Sequence, residues 1–157
     1  MGEEMETINT DTNNKSVNIK LKSVDRMKYY ESNPAEIGYK DGGVDLADVG
    51  LTTNLVINEK EESISVLLDV VYKLKEEPEV VLFSISSKHS YEIQNLLNVI
   101  TKDDKQQCRI PDQLLNMLVS IAYSGTRGML AVLITSPIYK DLILPIIDPK
   151  KLINSKM

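Results

Sequence analysis

Between Ser63 and Leu74 every even-numbered residue is apolar: Ile64, Val66, Leu68, Val70, Tyr72 and Leu74. A β-strand sends successive side chains to opposite faces, so this run demands a strand with one face buried along its whole length. On a helix the same residues would scatter around the circumference. The preceding LTTNLVIN repeats the pattern, with Leu51, Thr53, Leu55 and Ile57 on one face, and the charged stretch Glu59-Lys60-Glu61-Glu62 lies between the two runs. Two alternating runs joined by a short polar turn form a hairpin. The turn has no Asn-Gly or Asp-Gly of the two-residue kind, so a four-residue loop is expected. A second turn at Glu76-Glu77-Pro78 leads into a third strand, Val80 to Ser86. Short turns between sequential strands make an antiparallel meander, because parallel neighbours need a long crossover.

Upstream, Val17, Ile19 and Leu21 alternate with Asn18, Lys20 and Lys22, and the register stumbles at Ser23-Val24-Asp25 before Met27 and Tyr29 resume it. This reads as a long first strand with a bulge. Residues 32 to 50 hold Pro34, Gly38, Gly42, Gly43 and Gly50 and read as a loop. Residues 1 to 15 are poor in apolar anchors and read as a flexible acidic tail. Several residues on the opposite strand faces are also apolar: Val56, Leu67, Val71, Val80 and Leu82. Two readings stay open for them, a second packed layer or subunit contact and a surface kept apolar for binding.

After the strands the period changes. Ile93, Leu97 and Ile100 have helical spacing before Asp103-Asp104-Lys105 interrupts, so residues 90 to 108 fit either a short helix or a strand end running into an ordered loop. Pro111 and Asp112 then open a stronger helix, with proline suited to its start and the carboxylate to the positive end of its dipole. Leu114, Leu115, Leu118, Ile121 and Ala122 form its apolar stripe, and Gly125 and Gly128 mark its expected end. A short terminal helix broken by prolines follows over Ile138 to Ile153. Strands first and helices after make an α+β domain. The expected architecture is a four-stranded antiparallel sheet with a long helix and a short C-terminal helix packed on one side. One domain spans 16–153, with a short tail at 154–157.

Composition narrows the function. At 157 residues the chain can remove roughly 70% of its unfolded surface from water, enough for a real core. Eighteen basic against 23 acidic residues leave a net charge of −5, which argues against nucleic acid as a partner. The single cysteine, Cys108, forms no disulfide framework and fits a reducing cytoplasm. No basic-then-apolar leader opens the chain, and Pro137, Lys140, Asp141 and Pro145 break up the most apolar stretch, so a soluble protein without membrane insertion is expected.

Motifs for chemistry are weak. Ser124-Gly125-Thr126-Arg127-Gly128 lacks the ending of a phosphate loop and follows a helix where such a loop follows a strand. Asp103 and Asp104 read as solvated charge in a Lys/Gln-rich loop. His89, placed just beyond the third strand of the meander, has no orienting group or oxyanion motif to make a hydrolytic site. Cys108 has basic neighbours, Lys105 and Arg109, but no cysteine or histidine partner. No enzyme activity, cofactor or metal is expected.

The order of these elements resembles the SecB family of protein-export chaperones. The most specific stretch is Arg109 to Ile153, with Pro111 before the helix, Thr126-Arg127-Gly128 at its end, and Leu144-Pro145-Ile146-Ile147-Asp148 beyond it. The first strand is similar too, ending in Tyr30, Glu31 and Pro34, and the resemblance covers about residues 16 to 153. It implies an ATP-independent holdase, a homotetramer, that binds unfolded or signal-bearing polypeptides in apolar grooves for export. By resemblance the groove is lined by Leu55 and Ile57, by Leu96, Leu97, Val99 and Ile100, and by Leu142, Ile143 and Ile146. The long helix would join subunits through Leu114, Leu118 and Ile121. Asp25 and Glu31 would match acidic residues that meet the SecA motor, making SecA a candidate partner. The chain departs from the family where a further sheet acid is expected, in Phe83 to Lys88, and in lacking the family's motor-binding tail. Two alternatives accompany this reading: an adaptor of the same fold dedicated to one partner such as an antitoxin, and a structural oligomer without chaperone activity.

Overall fold

The computed structural model describes residues 5–10, 15–39 and 47–142, with side chains described over 17–39 and 47–142. Five strands form one antiparallel sheet: β1 (Met5–Thr10), β2 (Lys15–Glu31), β3 (Ala47–Asn58), β4 (Ser63–Leu74) and β5 (Val81–Ile93), in the order β1-β2-β5-β4-β3. The meander β3-β4-β5 and its four-residue turn stand as the alternation requires, with Glu62 at positive φ closing the turn. The long first strand, β2, pairs with β5 and so completes the four principal strands. The fold is α+β, as the element order implies.

Several details differ from the sequence expectation, and β3 begins at Ala47, inside the segment read as a loop. Met5–Thr10, expected within the tail, pairs antiparallel with Lys15–Lys20. The register slips on β2 occur twice, between Leu21 and Ser23 and between Arg26 and Lys28. β5 runs seven residues past Ser86, to Ile93, and so takes in His89.

Beyond β5 a one-turn helix, α1 (Leu96–Val99), leads to a minimal hairpin of β6 (Thr101–Lys102) and β7 (Cys108–Arg109). Asp103 builds that hairpin: its Oδ1 accepts from the backbone N–H of Lys105 at 2.9 Å and of Gln107 at 2.8 Å. The carboxylate stays exposed, as expected of surface charge, and also serves as a turn device.

The long helix, α2, covers Asp112–Leu133, with Pro111 at its N-cap. It runs past both glycines that were expected to end it. α2 packs chiefly on β4 and β5. The Tyr91 hydroxyl donates to the Leu118 carbonyl, and Thr126 lies beside Ser87 and His89, so the helix runs antiparallel to β5. At 1.5 Å per residue its 22 residues span about 33 Å, matching about ten residues of strand. A short helix, α3 (Pro137–Lys140), follows, and Tyr139 packs between Tyr39 and Phe83 with ring centroids 5.6 and 5.4 Å away.

The core lies between α2 and the sheet. Ile64, Val66, Leu68, Val70 and Tyr72 of β4 are buried, as are Phe83, Ile85, Tyr91 and Ile93 of β5 and Leu114, Leu118, Val119, Ala122 and Leu130 of α2. Leu114 and Leu118 therefore do not join subunits: they fill this chain's own core, and only Ile121 of that expected trio is half-buried. The apolar stripe is the helix's inward face, not the subunit contact that the resemblance implies.

Candidate functional site

Residues directly opposite in a ladder share a face, so the register assigns every side chain to the helix side or the open side. On the helix side β3 contributes Val49, Leu51, Thr53, Leu55 and Ile57, paired with Tyr72, Val70, Leu68, Val66 and Ile64. On β2 the same side carries Leu21 opposite Tyr91 and Val24 opposite His89. One helix covers two strands well, and α2 lies over β4 and β5. Both flanks of the face are left partly uncovered: Val49 and Leu55 on β3 are about as exposed as Leu21 and Val24 on β2, at 41%, 39%, 45% and 43%. These are apolar side chains placed by alternation to face a core that does not reach them.

The open side is mostly polar, with Ser84, Ser86, Lys88 and Ser90 on β5 and Asp25 and Lys28 on β2. Its apolar residues include Val56 and Tyr30, exposed, and Leu67 and Val71, half-buried. Of the other two assigned outward, Val80 is half-buried and Leu82 is sealed in the core. Asp25 stays exposed, opposite Lys88 across the ladder.

The expected groove residues divide into two groups at opposite ends of the sheet. Ile57 pairs with Ile64 beside the β3–β4 turn, and Ile93 donates its backbone N–H to the Glu62 carbonyl of that turn. The sheet therefore ends there with α1 just beyond, which brings Leu55, Ile57, Leu97 and Val99 to one end. Leu97 is the most open of these, at 60%. Leu96 and Ile100 do not line a groove, because α1 turns both inward onto the core. Leu142 lies at the far end, with Tyr139 and Phe83, and is also buried, so it joins neither the other residues nor an open surface. Ile143 and Ile146 fall outside the described residues.

Glu31 is not a free surface acid. Its carboxylate accepts from the backbone N–H of Thr135 at 2.8 Å, from the Thr135 hydroxyl, and from the Tyr29 hydroxyl at 3.0 Å. Partial burial pushes its pKa up, but these donors together with the Ser136 backbone outweigh it and hold the carboxyl below the usual range. Its own burial, and then the same contact, push the Tyr29 phenol up. Glu31 is a clamp that fixes the end of α2 to the sheet.

His89 is buried under α2, with Nε2 3.4 Å from the Thr126 hydroxyl. That hydroxyl lies 2.9 Å from the Ser87 hydroxyl and donates to the Ala122 carbonyl at 2.8 Å. Burial lowers the imidazole pKa, because the charged ring would lose its water there. Cys108 donates its thiol to Glu59 at 3.3 Å, where Lys102 also reaches at 3.0 Å. The Glu59 carboxylate raises the thiol pKa, opposite to what a nucleophile needs. Among the described residues no group of three or more His, Cys, Asp and Glu is placed to hold a metal, and no helix is long and apolar enough to cross a membrane. The residues that sequence reasoning missed are Val49, Leu21 and Val24. Their signal is position: they lie on the helix side of strands that one helix is too narrow to cover. No protein-family model matches the chain, and no curated protein matches it.

Proposed function

We propose that this protein is a nucleotide-independent holdase that keeps unfolded polypeptides from folding or aggregating in the cytoplasm, ahead of export. One observation carries the reading: the helix side of the sheet presents Val49, Leu55, Leu21 and Val24 partly uncovered beside a complete core. A folded chain gains nothing by leaving four apolar residues on its core face partly in water, since completing the burial of each would contribute part of the roughly 1.5–3 kcal/mol that a fully buried side chain gives. An apolar surface rimmed by charge suits transient capture of unfolded chain, and the net charge of −5 keeps the holder itself soluble. The resemblance to export chaperones in element order points the same way. Delivery to the SecA motor has weaker support, because Glu31 is already engaged with Thr135 and Tyr29.

The test is the refolding rate of a slow-folding, signal-bearing protein, with and without an excess of this chain and without ATP. Marked slowing is expected. Leu97→Asp, a change at an exposed position that leaves the core intact, should weaken the slowing. Refolding at an unchanged rate would overturn the general holdase and leave the adaptor dedicated to one partner.

A further inference from the structure

The two long edges of the sheet are built differently. β2 is covered over Lys15–Lys20 by β1, and past that point two register slips and the charged residues Lys22, Asp25, Arg26 and Lys28 interrupt it. Such bulges and charges are how edge strands avoid pairing with other chains. β3 has none of these devices. It is twelve residues long, pairs with β4 without a register slip, contains no proline, and carries one charge, Asp48. Among the described residues no strand pairs with its outer edge.

We propose that β3 pairs antiparallel with β3 of a second copy of this chain, about a two-fold axis through Thr53. A second copy fits because β3 is self-complementary in that register. For the helix sides of two copies to coincide, odd residues must oppose odd residues. With Thr53 on the axis, Leu51 faces the partner's Leu55 and Val49 faces the partner's Ile57. The helix-side apolar residues thus match one another. On the open side Gly50 faces the partner's Val56, Thr52 faces the partner's Asn54, and Asp48 faces the partner's Asn58. No like charges meet.

Thr53 supplies an independent observation. Its hydroxyl oxygen is sealed from solvent and has no hydrogen-bond partner among the described residues. On the axis it stands opposite the partner's Thr53, where one staggered step of χ1 lets one hydroxyl donate to the other.

The pairing also completes the surface described above, a consequence that rests on the holdase reading. Side by side, two β3 strands would form one apolar floor between the two α2 helices, with Val49, Leu51, Leu55 and Ile57 contributed by each copy. The client surface would then be a trough shared by two chains rather than a ledge on one.

The test uses the full chain with Cys108 replaced by serine and Thr53→Cys introduced. Residues opposite one another in a ladder lie about 4.5–5.5 Å apart, within disulfide reach. Mild oxidation should convert most of the chain to a disulfide-linked dimer, whereas Asp48→Cys, far from the axis, should cross-link weakly. Sedimentation of the unmodified chain should show a dimer or a multiple of it. Leu55→Lys should weaken association by at least about tenfold, since a charge on an edge strand blocks pairing. A monomer at high concentration overturns the proposal, and so does an oligomer in which Thr53→Cys fails to cross-link. The latter would give the edge to another segment of this chain or to a client. Failure of client capture with cross-linking intact would overturn the holdase and leave the pairing standing.

Discussion

The middle and the end of the α2–sheet contact both place polar groups against a core, and they do so in opposite ways. In the middle, His89 and Thr126 are sealed from water and share one weak contact, with Gly125 providing the room. At the end, Glu31 remains partly exposed and gathers several donors onto one carboxylate. The middle depends on shape and the end on charge. A change of volume should therefore damage the first most, and a change of charge the second.

The largest effect is expected at Gly125. A Cβ built there would lie 2.7 Å from Cε1 of His89, and the ring cannot withdraw because it is buried on β5. In an exposed helix interior, glycine to alanine would stabilise by roughly 1 kcal/mol. Here Gly125→Ala should destabilise by about 1–3 kcal/mol through overpacking, and Gly125→Val by more. Urea unfolding would show a lower midpoint at constant slope. Adding His89→Ser should recover part of the loss, so the double variant would be more stable than the sum of the single changes. Additive losses would mean that the glycine is needed for something other than the ring.

A smaller effect is expected at the rim. Glu31→Gln keeps one acceptor and removes the charge, which should cost about 1 kcal/mol given the partial exposure. The loss should be local. Amide exchange at Thr135 should accelerate before that of Leu118 or Leu130, because the clamp holds only the last turn and the link to α3. Equal acceleration along the whole of α2 would show that the rim and the middle form one cooperative unit.

This contrast also explains what could be read from the chain directly. The alternation of Ile64 to Tyr72 specifies a strand, its buried face and its neighbours, and the structure follows it residue by residue. The sequence reads β5 seven residues short because its helix side switches from Phe83 and Ile85 to Ser87 and His89, which look like surface. They are buried because Gly125 and Thr126 accept them from more than thirty positions away. For the same reason Gly125 reads as a helix end when its actual use is close approach. Pairing of β1 with β2 carries little apolar signal of its own. The groove assignment failed differently: Leu97 and Leu142 share a chemistry, but the antiparallel path of α2 carries the chain from one end of the sheet to the other between them. Spacing along a sequence does not report that distance.

The smallest and most diagnostic effect is the dependence of stability on pH. His89 is the only histidine, and burial lowers its pKa, so the unfolded chain takes up its proton first as pH falls below about 6.5. Its contribution is therefore fully present above that value and is lost as pH falls toward the folded pKa. Glu31, held below the usual carboxylate range, contributes stability above about pH 4.5 that is lost at still lower pH. The middle and the rim thus begin to fail at different pH, the middle first. Between about pH 5 and 6.5 stability should decline by a fraction of the limiting 1.4 kcal/mol per pH unit, and His89→Asn should flatten that slope. Glu31→Gln should leave this window unchanged and act only below it. A slope that survives His89→Asn would mean that other groups produce it and that the imidazole takes up its proton equally in the folded and unfolded chain, so that the seal over the middle of the helix contact is not tight enough to set its titration.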